Sequence, residues 1–343
     1  LKKKILTVLK ALVFLSLGLF LVWFALKDIK PEMRSQIRTA FANANYSWVF
    51  LSLIFGILSH LSRAIRWRIM LETLGHKPKL SNTFFAVMIG YMANYAPIPR
   101  LGEASRCGIL TRYEKISFTE SFGTVIAERL IDVLCLLLVF IITFFVQFDT
   151  INGLAHTLVL DKIVMKFAFL IAHPFLMIIA IIFSIAGIFL FIRFRNKSKE
   201  GFMNRVIHFI AGFWQGLKTV KHIRRPGAFI AHTFFIWLMY YVSLHVCFYA
   251  LTETSNLGIK EGLPIFALGT LGVVFTPGGI GAYPLIVSFV MESFLITKPI
   301  AIAFPWIVWS AQFVLIICLG LISLILLPIL NKEPNGNIKE NAS

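Results

Sequence analysis

Eight apolar runs divide this chain, at about 5–26, 46–67, 83–99, 122–147, 169–192, 228–251, 263–298 with an interruption, and 300–330. Within them the apolar residues are continuous rather than spaced at a period of 2 or 3.6, and a helix of about 20 such residues spans a bilayer core. Composition agrees with that pattern. Of 343 residues, 58% are hydrophobic, 34 are Phe and only 14% are charged, whereas soluble domains run at about 45–50% apolar and about 25% charged. The chain reads as an all-α polytopic membrane protein, which excludes a soluble enzyme.

Thirty-three Lys and Arg against 16 Asp and Glu give a net charge of +17. The cations gather in short segments between apolar runs, where they set topology and meet anionic head groups rather than nucleic acid. Cys107, Cys135, Cys247 and Cys318 lie far apart and imply neither a disulfide framework nor a metal site. No metal and no cofactor is expected. Lys2, Lys3, Lys4 and Lys10 open the chain in the manner of a signal peptide. No small-x-small cleavage site follows Trp23-Phe24-Ala25-Leu26-Lys27, so the first run reads as an uncleaved span.

The most basic segments are 1–10, 63–82 and 193–227, and the positive-inside rule places all three in the cytoplasm. That placement forbids the run at 83–99 from crossing, because a crossing would send the segment at 193–227 outside. The run is predicted to enter and return on one face, turning at NYAPIPRLGEASR (94–106), where Pro97, Pro99 and Gly102 cannot continue a regular helix. The run at 263–298 is broken by TPGGIGAYP (276–284), with Pro277, Gly278, Gly279 and Gly281, into arms too short to span. Six full spans and two re-entrant pieces, one from each face, result. This arrangement is compatible with an inverted repeat and puts both termini in the cytoplasm. It leaves 24 Lys and Arg in cytoplasmic segments, 8 outside and one, Arg129, within a span. A single transmembrane domain is expected over 1–330, followed by a polar tail at 331–343. Amphipathic stripes near 29–45 and 201–222 predict helices lying in the head-group layer.

Broken helices at membrane depth are tolerated only where protein packs on them or a wet cavity receives them. Two breaks from opposite faces therefore point to a central cavity, as in transporters whose broken helices aim at a substrate. Glu128, Arg129 and Asp132 lie inside the fourth run, and each such charge costs about 2.5–3.5 kcal/mol on insertion scales. They call for partners, and Arg100, Glu103 and Arg106 occur at three-residue steps on the first re-entrant piece. Adding Arg66 leaves positive charge in surplus, which a lipid phosphate would balance through bidentate guanidinium contacts. The alternative is an ion network that only fixes helix packing. His60, His173, His232 and His245 show no metal-ligand spacing and read as core residues.

Four motifs in this order, RAIRWRIML (63–71), NYAPIPRLGEASR, ESFGTVIAERLIDVL (120–134) and TPGGIGAYP, resemble the lysylphosphatidylglycerol synthase transmembrane region. That flippase-like group includes the UPF0104 membrane proteins. The resemblance covers about 5–330 and implies movement or binding of lipid without the aminoacyl-transfer chemistry of the bifunctional synthases, whose soluble domain has no counterpart in these 343 residues.

The expected function is translocation of a phospholipid or polyprenyl-phosphate-linked lipid between leaflets of the cytoplasmic membrane. In that reading Arg66, Arg100, Arg106 and Arg129 hold phosphate, Glu128 and Asp132 orient the arginines or meet a cationic head group, and Glu103 belongs to the same cavity. The expected partners are membrane lipids, anionic or polyprenyl-phosphate-bearing. No catalytic residue is assigned and no G-x-x-x-x-G-K-[ST] nucleotide loop occurs. Two rivals stay open: a membrane glycosyltransferase or other lipid-modifying enzyme, and a non-transporting accessory protein.

Overall fold

A computed structural model describes residues 31–96, 101–147 and 223–331. These form nine α-helices: α1 (Pro31–Asn43), α2 (Tyr46–Thr73), α3 (Leu80–Ala93), α4 (Leu101–Glu114), α5 (Phe118–Val146), α6 (Pro226–Cys247), α7 (Ile259–Phe275), α8 (Ala282–Ser293) and α9 (Lys298–Leu330). No strand occurs among the described residues. The predicted runs at 5–26 and 169–192, the stripe at 201–222, Pro97, Pro99, Arg100 and the tail from 332 lie outside them.

Length separates the helices into two classes. With 28, 29 and 33 residues, α2, α5 and α9 are long and apolar enough to cross a bilayer, as is α6 with its short 3₁₀ extension to Ala250. At 14, 14, 17 and 12 residues, α3, α4, α7 and α8 are not, since 12 residues of helix rise only about 18 Å. The chain is thus a multi-pass integral membrane protein. Local signals set the ends: Asn45 caps α2 by accepting from the Ser47 amide at 3.1 Å. Gly75 (φ 90°) stops it, with the amides of Gly75 and His76 turned back onto Glu72 and Leu71.

Hydrogen bonds between helix ends sort the elements onto two faces. On the near face, the Glu114 carboxylate at the end of α4 accepts from the Lys79 amide and from Asn82 at the start of α3, and Asn82 also bonds Asn331 at the end of α9. Arg225, before α6, pairs there with Glu72 near the end of α2. On the far face, the Asn45 amide donates to Ala250 O, joining the start of α2 to the end of α6. The Gln147 side chain, after α5, donates to Lys260 O at the start of α7. So α3 and α4 form a hairpin from the near face, and α7 and α8 form one from the far face.

The predicted pair of re-entrant pieces is therefore present, and its direction is inverted between the two halves. The unit span, hairpin, span occurs as α2, α3/α4, α5 and again, upside down, as α6, α7/α8, α9. Close approach in the first hairpin depends on glycine. A Cβ on Gly102 would overlap Asn94 and the Gly90 carbonyl, and one on Gly90 would lie 2.9 Å from Gly102 O. The return arm α4 is largely polar, which is why no apolar run announces it.

One core fills the space between α6 and α9, around Phe248, Ile265, Val287, Met291 and Phe304, and a second joins α2 to α5 around Trp67, Val87, Cys107 and Val125. Outside, Leu137, Leu138, Ile141 and Phe145 of α5 and Ile325 of α9 stay exposed, as lipid-facing residues do. On α1, whose stripe is read above as a head-group contact, Ala40 is buried and Ile37 and Phe41 are partly buried against the cluster that contains Ile300 and Phe304.

Candidate functional site

Three helices deliver seven charged side chains to one place. Arg63 and Arg66, three residues apart on α2, share a face with Trp67. The helix α4 supplies Glu103 and Arg106 at the same spacing, and α5 supplies Glu128, Arg129 and Asp132. Glu128 lies ten residues into α5, about 15 Å along its axis and near the middle of a membrane about 30 Å thick.

Glu128 is the hub. With no exposed surface, it meets Arg63 Nη1 at 2.5 Å, Arg106 Nη2 at 2.9 Å and Arg66 Nη2 at 3.6 Å. Asp132, one turn on, meets Arg63 at 2.7 Å and Arg66 at 2.8 Å. Surrounding aromatics hold the guanidinium planes. Arg106 lies 4.1 Å over the Trp67 ring, whose Nε1 donates to Thr124 Oγ1 at 2.9 Å. Arg63 donates to Tyr240 Oη and lies 5.7 Å over Tyr91. Charge-assisted, multiply bonded pairs of this kind offset the desolvation that isolated ions would suffer at this depth.

Exposure divides the seven. Arg63, Arg66, Arg106 and Glu128 have side chains 0–4% exposed, whereas Arg129 is 37%, Glu103 21% and Asp132 14% exposed. The three form a rim. Arg129 is also the loosest member, 3.7 Å from both Glu103 and Asp132. Four guanidinium groups against three carboxylates leave one positive charge over among the described residues. The Nε atoms of Arg66, Arg106 and Arg129 are buried with no hydrogen-bond partner there.

The structure thus gathers Arg66, Glu103, Arg106, Glu128, Arg129 and Asp132 into one network, while Arg100 lies outside the described residues. Arg66 and Arg106 are occupied by carboxylates rather than free to hold phosphate, so the expected head-group cavity is, in this conformation, a filled ionic core with a partly open edge at Arg129. Sequence reasoning missed Arg63, Tyr91 and Tyr240. The signal for Arg63 lies three residues before Arg66 in RAIRWR, inside the basic segment 63–82; α2 runs six residues past the predicted end of the run, to Thr73, and turns both arginines inward. The histidines are mixed. His232 bonds Ser62 Oγ at 2.8 Å, whereas the Nδ1 atoms of His60 and His245 are buried without partners among the described residues.

The other predicted break sits close by. Pro277, Gly278, Gly279 and Gly281 form the tip of the far hairpin, with positive φ at all three glycines, a conformation glycine adopts at little cost. Tyr95, at the tip of the near hairpin and four residues beyond Tyr91, packs directly on Gly278.

The family model for the lysylphosphatidylglycerol synthase TM region matches residues 8–320, nearly the whole chain. The chain belongs to that family. Among curated relatives it is 24% identical over 300 residues to a UPF0104 membrane protein of Methanocaldococcus jannaschii, covering 83% of this chain and 86% of that one. A UPF0104 membrane protein of Pyrococcus horikoshii is 24% identical over 309 residues, 84% of this chain and 87% of its own length. One of Methanothermobacter thermautotrophicus is 25% identical over 260 residues, covering 72% and 75%. No solved structure matches. All four motifs quoted above fall inside the matched span, as do all seven members of the charge network.

Proposed function

We propose that this membrane protein moves a phospholipid or polyprenyl-phosphate-linked lipid between leaflets, with the head group engaging the network at Arg129 while the acyl or prenyl chains stay in lipid. The observation that carries this reading is the charge network itself. Seven side chains of charged residues gathered beside two helix breaks at membrane depth are far more than helix packing requires, since each is costly to place there. Arg129 is the head-group contact: it is partly exposed, held loosely at 3.7 Å, and belongs to a cluster with one positive charge over. Arg63, Arg66 and Arg106 position Glu128 and Asp132, which in turn set the field at the rim. The near face, which carries Arg68, Lys77, Lys79 and Arg112, is assigned to the cytoplasm by the positive-inside rule. Movement would follow a lipid gradient or an ion gradient, since the sequence carries no nucleotide loop.

The test is leaflet exchange of a fluorescent phosphatidylglycerol in proteoliposomes. The wild-type protein should exceed protein-free vesicles. Arg129→Ala should lower the rate roughly tenfold, the loss expected for one charge-assisted contact, with its melting temperature near wild type and Arg129→Lys recovering some of the rate. Wild-type rates no higher than those of empty vesicles, across phosphatidylglycerol and a polyprenyl phosphate probe, would remove the reading.

A further inference from the structure

The two hairpin tips meet, and their contact has the build of a gate. A Cβ on Gly278 would overlap the Tyr95 ring, so the ring lies flat against bare glycine backbone. Around it, Tyr95 stands edge-on to Phe313 of α9, 4.8 Å between centroids, and Phe313 stacks on Trp309 at 5.2 Å. Trp309 Nε1 donates to Gly278 O at 2.9 Å. Tyr95, Gly278, Trp309 and Phe313 are all half-buried rather than sealed in a core.

Both hairpins also pack on the long helices α5 and α9. The near one leans on α2 and the second half of α9, where Met92 crowds Gly320; the far one joins α9 near its start. Tyr95 on Gly278 joins the two tips directly, and no hydrogen bond crosses from Tyr95 to the glycine turn among the described residues. On the far side sit Gly278, Gly279 and Gly281, with φ of 60°, 78° and 72°. Residues of this kind absorb large backbone changes, and hinges are often built from them. Swinging the tip would part the Tyr95 ring from Gly278 and break the Trp309 hydrogen bond, while the turn's own bonds, from the Gly279 amide to Thr276 O and from the Ile280 amide to Pro277 O, lie within the hinge.

We propose that the Tyr95–Gly278 contact is the closed gate of the lipid head-group pathway, and that the glycine tip swings from it, hinged at Gly278 to Gly281 and latched by Trp309. The inference rests on the translocation reading and adds to it the element that moves. In this conformation the path is shut between the ionic core, reached from the near hairpin through Tyr91, and the far hairpin.

Two measurements on the full chain in phosphatidylglycerol-containing bilayers test it together: amide hydrogen exchange over 276–283, and leaflet exchange of fluorescent phosphatidylglycerol. Tyr95→Ala should raise exchange in the tip roughly tenfold, leave α5 and the body of α9 unchanged, and speed lipid movement. Trp309→Phe, which keeps the ring stack but loses the donor, should do the same more weakly, and Tyr95→Phe should match wild type in both. Unchanged tip exchange in Tyr95→Ala overturns the gate whether or not lipid moves. Faster tip exchange with lipid movement at the wild-type rate also overturns it, making the contact packing only while translocation stands. A wild-type protein that moves no lipid, with the tip still responding, removes the translocation reading and the gate with it.

Discussion

At the residue scale, Glu128 and Arg129 are neighbours in sequence with opposite duties. Glu128 is fully buried and accepts from two guanidinium groups with a third nearby, so removing its charge strands the buried Arg106 and leaves Arg63 and Arg66 to share Asp132. Breaking a buried ion cluster on one side costs about 3–5 kcal/mol because the remaining charge stays unpaired. Glu128→Ala is therefore expected to fold poorly or to melt far below wild type in detergent, with Glu128→Gln only partly better. Arg129→Ala removes a rim cation held at 3.7 Å from its partners, and should change lipid movement far more than melting. Thermal unfolding of both variants, compared side by side, checks the division. If Glu128→Ala melted at the wild-type temperature, the hub role would be lost.

Among elements, the near hairpin has the most exacting packing, because α3 and α4 approach at two glycines and the same contact fixes Arg106. A Cβ on Gly90 would press on the Arg106 side chain and on Gly102 O, so any larger residue must push α4 away and draw Arg106 off Glu128. Overpacking of this kind costs about 1–3 kcal/mol. Gly90→Leu is expected both to lower stability and to reduce lipid movement, whereas Gly108→Ala, on the same hairpin with open space around it, should do neither. Both readouts together separate a packing defect from a site defect. The hairpins also mark how far the sequence could be read. Long apolar runs and Pro/Gly breaks are local signals, so the four described spans, the breaks at 94–106 and 276–284 and the charged positions on α5 were legible. Arg63 was not, because whether a cation near the end of a run faces lipid head groups or a neighbouring helix depends on α5 and α6, which lie 60 to 180 residues away. The same holds for α1, whose stripe is equally suited to a membrane surface and to the start of α9.

At the scale of the whole molecule, the two inverted halves make a claim about sidedness that neither half makes alone. The near hairpin returns to the face it left, as Glu114 bonding to Lys79 and Asn82 requires, and the far hairpin does the same on the opposite face, next to Gln147. Single cysteines at exposed hairpin bases should therefore label in pairs. Lys77→Cys and Arg112→Cys should react with a membrane-impermeant maleimide from one side, Asn256→Cys and Lys298→Cys from the other, and in intact cells only the second pair should react if the basic face is cytoplasmic. Splitting the first pair across the membrane would mean that α3 crosses. That outcome would take the near hairpin, and with it the meeting of the two tips, out of the structure. Paired labelling would leave a central site that is closed by opposed tips and approached from either face by equivalent elements, the symmetry that alternating access exploits.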